Sequence, residues 1–196
     1  MKKVLLLLAE GFEIYEASVF IDVIGWNLVD GDGTTRLFSC GLTKQIKSTF
    51  GQGFVVDFTL DEIIADEYDA LAIPGGFDEY NFYRDAYNER FLGLIREFNA
   101  KNKPIASVCT GALPIGKSGV LAGRNGTTYN RNPLRHETLK SYGVHVLNEP
   151  IVTDKNIITS WNPSTAMGVA FQLLEILTSA AQAKKVKFLM GFEDHP

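Results

Sequence analysis

Cysteine and histidine are both scarce in this chain of 196 residues, which holds two of the first and three of the second. Cys40 and Cys109 are too few and too distant to form a disulfide framework, so an apolar core must hold the fold. A composition of 45% hydrophobic and 21% charged residues allows such a core. Positive charge is also short: 19 Lys and Arg stand against 23 Asp and Glu, for a net charge of −4. That balance lacks the electrostatic footprint of a nucleic-acid binder, and Lys184, Lys185 and Lys187 read as a solvated helix face. No apolar run approaches the length of a membrane span. The opening MKKVLLLLAEGFE has the lysines and short apolar stretch of a signal peptide. However, the stretch ends at Ala9, meets Glu10 and Glu13 at once and has no small-residue cleavage site. A buried parallel strand accounts for it better. The expectation is a cytoplasmic protein with reduced thiols. Repeats, low-complexity tracts and Pro/Ser-rich linkers are missing too, so residues 1–196 read as a single domain. There is no phosphate-binding G-x-G-x-x-G or P-loop and no His/Cys/carboxylate spacing of a metal site, so neither cofactor nor metal is expected.

Strand-like and helix-like segments alternate along the chain. Val4 to Leu8, Thr34 to Cys40, Asp69 to Ile73 and Pro104 to Val108 read as buried strands. Phe54 to Phe58 reads as a short strand that pairs with the segment around Ile46. Ile151–Thr153 and Ile157–Thr159 flank Asp154-Lys155-Asn156, which is hairpin chemistry. Helical periodicity marks Tyr15 to Val29, Asn88 to Phe98, Ser164 to Leu177 and Ala180 to Leu189, and Gly111 to Ser118 is a further helix with Pro114 in its first turn. Asn162 or Ser164 caps the Ser164 helix, with Pro163 at its start. This order predicts an α/β three-layer sandwich with a mostly parallel sheet. Ligands of such sheets bind beyond the carboxyl ends of the strands. Three segments emerge there: Ala9 to Glu16, Pro74 to Phe77 and Cys109 to Gly111.

Within Ile105-Ala106-Ser107-Val108-Cys109-Thr110-Gly111-Ala112, a buried strand delivers a cysteine straight into small residues and a helix. This is the logic of a nucleophile elbow. A helix N-terminus at Cys109 predicts a thiol that ionises below the ordinary cysteine range. A lone cysteine is more often structural, but the placement at a strand end favours a reactive one. Cys40 ends an ordinary strand with no helix behind it and reads as filler. The glycines of Pro74-Gly75-Gly76 permit close backbone approach, so the Gly76 N–H is expected to join the Thr110 N–H as an oxyanion hole, with Gly75 beside them. Glu16, early in the first helix, is either a solvated, dipole-favoured acid or an inward partner of the sulfur, and periodicity does not decide between these.

Four stretches together resemble the ThiJ/PfpI (DJ-1-like) superfamily, in order and spacing along nearly the whole chain. They are KKVLLLLAEGFEIYEASVFIDVI, YDALAIPGG, PIASVCTGALPIGKSGVLAGRNGTTY and IVTDKNIITSWNPSTAMGVAFQLLEIL. The resemblance implies a flavodoxin-like sandwich, usually a homodimer, with Cys109 as nucleophile and Glu16 as its protonated carboxyl partner. It also implies glyoxalase-like or deglycase-like action, independent of glutathione, on small reactive carbonyls such as methylglyoxal or on their adducts. Phe12, Phe77, Tyr129, Asn130 and Trp161 are expected as pocket walls. One departure matters. The family commonly places a histidine directly after the cysteine or at the end of a T-T-H segment, whereas this chain has Thr110 and, in Thr127-Thr128-Tyr129, Tyr129. His136, His145 and His195 fall outside those positions. A cysteine peptidase needs such a base, so peptidase action is disfavoured. A non-catalytic oxidative-stress protein working through Cys109 oxidation needs no histidine and stays open.

Overall fold

The run Lys2–Leu8 forms β1, and its alternation sorts the core. Val4, Leu6 and Leu8 join Phe20, Ile24, Val169 and Leu173 on one face of the sheet. Leu5 and Leu7 join Phe91, Ile95, Phe98 and Leu113 on the other. A strand of period two covered on both faces has no use for polar side chains, which is why the run is unbroken. Each fully buried leucine contributes about 1.5–3 kcal/mol relative to an exposed one.

The computed structural model describes residues 1–192. After β1 come α1 (Ile14–Val29), β2 (Thr35–Gly41), β3 (Gln45–Lys47), β4 (Gly53–Val55), β5 (Phe58–Thr59) and β6 (Ala70–Ile73). They are followed by α2 (Phe82–Ala86), α3 (Glu89–Ala100), β7 (Ile105–Ser107), α4 (Ala112–Lys117), β8 (Asn125–Gly126) and α5 (Pro133–Ser141). The chain continues through β9 (His145–Val146), β10 (Ile151–Asp154), β11 (Ile157–Ser160), α6 (Ala166–Leu177) and α7 (Ala180–Leu189). The main sheet has seven strands in the order β10-β11-β7-β6-β1-β2-β5. All its pairs are parallel except the β10–β11 hairpin. Helices α1 and α6 supply buried side chains to one face, and α3 and α4 to the other. The α/β sandwich expected from the alternation is therefore present. None of the described helices is long and apolar enough to cross a membrane.

The expected strand Phe54 to Phe58 is two strands. Gly53–Val55 pairs with Gln45–Lys47 as anticipated, but Phe58–Thr59 leaves to join β2 at the edge of the main sheet. Between them Asp57 turns its carboxylate onto the Ser39 amide and hydroxyl, both at 2.8 Å, and the chain bends. Two helices, α2 and α5, have no counterpart in the periodicity reading. The second is capped by Asn132, has proline in its first turn and buries only Leu139, so it leaves no apolar stripe in the sequence.

Strand order places the site. From β1 the chain goes to β2 on one side, whereas β6 and β7 lie on the other. The carboxyl ends of β1, β6 and β7 thus flank the point where strand order reverses, the crevice that open α/β sheets use for ligands.

Candidate active site

Cys109 follows β7 after one residue and adopts φ +57°, a left-handed conformation that costs a β-carbon-bearing residue energy. A tight turn, Cys109–Gly111, leads directly into α4. Gly111 must be glycine: a β-carbon there would stand 2.5 Å from the Ile73 carbonyl oxygen. This strand–turn–helix geometry with a strained residue at its tip is that of a nucleophile elbow. The Thr128 hydroxyl donates to the Cys109 carbonyl at 2.9 Å and holds the turn from the far side.

The three segments identified at the strand ends meet. Phe12 and Gly76 form a β-bridge, and the Glu13 amide donates to the Gly75 carbonyl at 2.8 Å. Glu16 points inward and is fully buried in the first turn of α1. Its Oε2 accepts the Gly75 amide at 2.7 Å. Its Oε1 is buried and meets no hydrogen-bond partner of full geometry, and the polar side chain that interacts with this carboxyl is Cys109. Burial raises the Glu16 pKa from the ordinary 4.5 to about 8, against the Gly75 hydrogen bond and with help from the Glu13 carboxylate. Glu16 is thus a neutral acid at neutral pH, and an oxygen without a donor facing it is suited to carry the proton.

Burial also governs the sulfur. It pushes the Cys109 thiol up, with the Glu16 carboxylate as second cause, while the Thr110 amide and hydroxyl pull it down. The expectation of a thiol lowered by a helix N-terminus is therefore corrected. Helix α4 has only six residues, and Cys109 sits before it on a desolvated turn. The repulsion from Glu16 exists only while Glu16 is ionised. With Glu16 protonated, its O–H can donate to the sulfur, so the two groups titrate as one pair. Cys40 is fully buried, and burial followed by the Asp57 carboxylate raises its thiol far above the ordinary range, so it is an inert core residue.

The oxyanion hole differs from the sequence expectation. The Gly75 amide is engaged by Glu16, and the Gly76 amide donates to the Thr110 hydroxyl at 2.9 Å. The same hydroxyl donates back to the Gly76 carbonyl at 2.9 Å. These two glycines serve to orient Glu16 and Thr110, and the Thr110 amide is the member of the expected set directed at the sulfur. A β-carbon on Gly75 would stand 2.7 Å from Thr110 Oγ1 and 2.9 Å from Glu16 Oε2, which explains glycine there.

A cavity of about 410 Å³ opens over the pair, and Glu16, Cys109, Thr110, Gly76, Phe77 and Tyr129 line it. Phe77 and Tyr129 are where the sequence put them. Phe12 is not: it is fully buried and packs edge-on against Phe54 at 5.5 Å. Asn130 and Trp161 are not on the wall either. Asn130 accepts a hydrogen bond from Asn162 at 2.8 Å, and Trp161 has its Nε1 buried. The sequence reading missed Glu13, Phe50, Glu79, Asn132, Arg135 and Pro163, which complete the lining. An Asn-Pro pair is an N-cap signal, and it would have revealed α5 and with it Asn132 and Arg135. Neither His136 nor His145 lines the cavity; His195 lies outside the described residues. Among the described residues no group of three His, Cys, Asp or Glu is placed to hold a metal ion.

A flavodoxin-like α/β fold with a cysteine on an elbow and a buried acid beside it defines a class. The DJ-1/PfpI family profile matches residues 2–176, and the chain belongs to that family. It is 34% identical to Deglycase PfpI of Pyrococcus furiosus over 118 residues, 60% of this chain and 68% of that protein. It is 30% identical to Deglycase PH1704 of Pyrococcus horikoshii over 162 residues, 83% of this chain and 91% of that protein. In structure it superimposes on Drosophila melanogaster DJ-1beta with a TM-score of 0.85 at 23% identity, covering 98% of this chain and 99% of that one.

Proposed function

We propose that this protein is a cytoplasmic, glutathione-independent enzyme that acts through Cys109 and Glu16 on small reactive carbonyls or their adducts. The observation that carries this reading is the buried Glu16 carboxyl, held by the Gly75 amide and in contact with the Cys109 thiol at the floor of a cavity. The names of the archaeal relatives, deglycases, agree with it.

With a 2-oxoaldehyde such as methylglyoxal, the chemistry runs as follows. With the pair holding a single proton, on Glu16, the Cys109 thiolate adds to the aldehyde carbon, a C–S bond forms, and the carbonyl oxygen takes the Glu16 proton, giving a hemithioacetal and a Glu16 carboxylate. The Glu16 carboxylate removes the C–H proton of that carbon, and a proton returns to the neighbouring carbon through an enediol. This internal exchange oxidises one carbon and reduces the other, so no external oxidant enters. Water then cleaves the resulting thioester to a 2-hydroxy acid and restores the thiol. The Thr110 amide is placed to stabilise negative charge near the sulfur. A second reading, a redox-responsive protein that works by Cys109 oxidation, is favoured by the place of Cys109 on the cavity lining, where a small oxidant can reach it. Counting methylglyoxal consumed per protein, without glutathione, separates the two: many equivalents support the enzyme, whereas uptake that stops near one with a peroxide-dependent gain in mass supports the sensor. The family likeness further leads us to propose a homodimer, which sedimentation would test.

Peptidase action is not expected. Tyr129 stands where the family's T-T-H segment ends, and a phenol hydroxyl offers no imidazole nitrogen to take the nucleophile's proton and return it to a leaving amine. Casein and short fluorogenic peptides should remain uncut. Robust cleavage lost in Cys109→Ala would show that another group completes the site.

A further inference from the structure

Arg135 is a half-buried cation in the wall of the Cys109 cavity. Its guanidinium forms no ion pair and no hydrogen bond with any described residue; it lies over the ring of Tyr83, 5.0 Å from the guanidinium carbon, with Tyr87 also within its electrostatic reach. Arg84, Arg90, Arg96 and Arg124, by contrast, are each paired with a carboxylate. The position is built rather than incidental. Asn132 caps α5 through the Leu134 amide at 3.1 Å and so fixes the turn that carries Arg135. Tyr83 meets Phe82 edge-on at 5.2 Å and leans against Tyr87 at 5.0 Å, which fixes the ring beneath the guanidinium. Tyr83 also buries its hydroxyl without a hydrogen-bond partner of full geometry, beside the Thr110 side chain next to the sulfur. A stacked guanidinium keeps its forked donors free at the edge, the arrangement that receives a carboxylate.

No acid of the same cavity forms an ion pair with it. Glu13 turns its carboxylate back to cap α1, accepting the Glu16 amide at 2.9 Å. Glu16 is held protonated by burial. Glu79 lies on the exposed turn Asp78–Tyr80.

We propose that Arg135 recognises anionic substrates at this site, so that it selects carbonyl compounds carrying a carboxylate near the reacting carbon over neutral ones. The compound class rests on the carbonyl reading above; the charge preference does not. 2-Oxoaldehydes that carry a carboxylate on a further carbon are the chemical type.

The test uses alkylation of Cys109 in Cys40→Ser protein by iodoacetate and iodoacetamide, which match in size and leaving group and differ in charge. In each, the sulfur displaces iodide, with C–S made and C–I broken. Arg135→Gln should lower the iodoacetate-to-iodoacetamide rate ratio about tenfold, as expected for a partly screened charge pair. The iodoacetamide rate should stay within about twofold, which also reports an intact thiol environment. Arg135→Lys, a point charge without the fork, should restore part of the ratio. An unchanged ratio in Arg135→Gln overturns the proposal. A lowered ratio in a protein that consumes no carbonyl compound leaves the charge recognition standing and removes the carbonyl reading instead.

Discussion

Glu16→Gln should stop carbonyl turnover while leaving the thiol reactive. The amide keeps the shape and a donor toward the sulfur, but it cannot exchange a proton with substrate. Loss of a positioned acid–base group lowers the rate by about 10²–10⁴-fold. Alkylation of Cys109 by iodoacetamide at neutral pH should persist at a similar rate, because the amide, like the protonated acid it replaces, is neutral and keeps a donor toward the sulfur. Above about pH 8, where the acid ionises and pushes the thiol up, the variant should react faster than the wild type. Glu16→Leu should also stop turnover, but it removes the donor as well and leaves the sulfur desolvated, so its thiol should stay high. Ultraviolet thiolate absorbance against pH in Cys40→Ser protein reads the ionisation, and methylglyoxal loss reads the turnover. Turnover retained in Glu16→Gln would assign the proton transfers elsewhere.

Stability should fall as pH rises through the neutral range, and Glu16 should be the main cause. Its folded-state pKa is raised from the ordinary 4.5 to about 8, so the native state keeps a proton that the unfolded chain gives up. A raised folded value contributes stability that is fully present below 4.5 and lost as pH climbs toward about 8, after which the loss levels off. Each pKa unit in that window is worth about 1.4 kcal/mol, so the whole shift amounts to several kcal/mol. Glu16→Gln cannot titrate, so its thermal midpoint should be much flatter between those limits. Midpoints of both proteins measured across that pH range check this. Parallel curves would mean that Glu16 ionises normally and is not the neutral acid described above.

The parts of the site that could be read in the sequence are those fixed by local chain chemistry. A buried run that ends in Cys-Thr-Gly-Ala makes an elbow because only small residues allow the helix to start against the strand, and the Ile73 carbonyl 2.5 Å from a would-be Gly111 β-carbon shows that constraint directly. Two buried runs that end in Ala9 and Pro74 likewise carry their loops to the same edge. What could not be read depends on partners distant in sequence. Gly75 and Gly76 looked like free oxyanion donors, yet buried amides must find acceptors, and theirs are Glu16 and Thr110. Phe12 lies next to the site in sequence, but its ring turns into the core against Phe54. Arg135 stayed hidden because α5 is polar on nearly every side. The thiol went up rather than down because desolvation depends on burial, which the elbow motif does not encode.

The most direct test is methylglyoxal consumption by wild-type protein and Cys109→Ala, without glutathione, with the 2-hydroxy acid product quantified. Multiple turnovers to the hydroxy acid in the wild type, and a rate in Cys109→Ala equal to that without protein, are the predicted result. Equal consumption by both proteins, or none by either, would contradict the assignment of Cys109 and Glu16 as a carbonyl-processing pair.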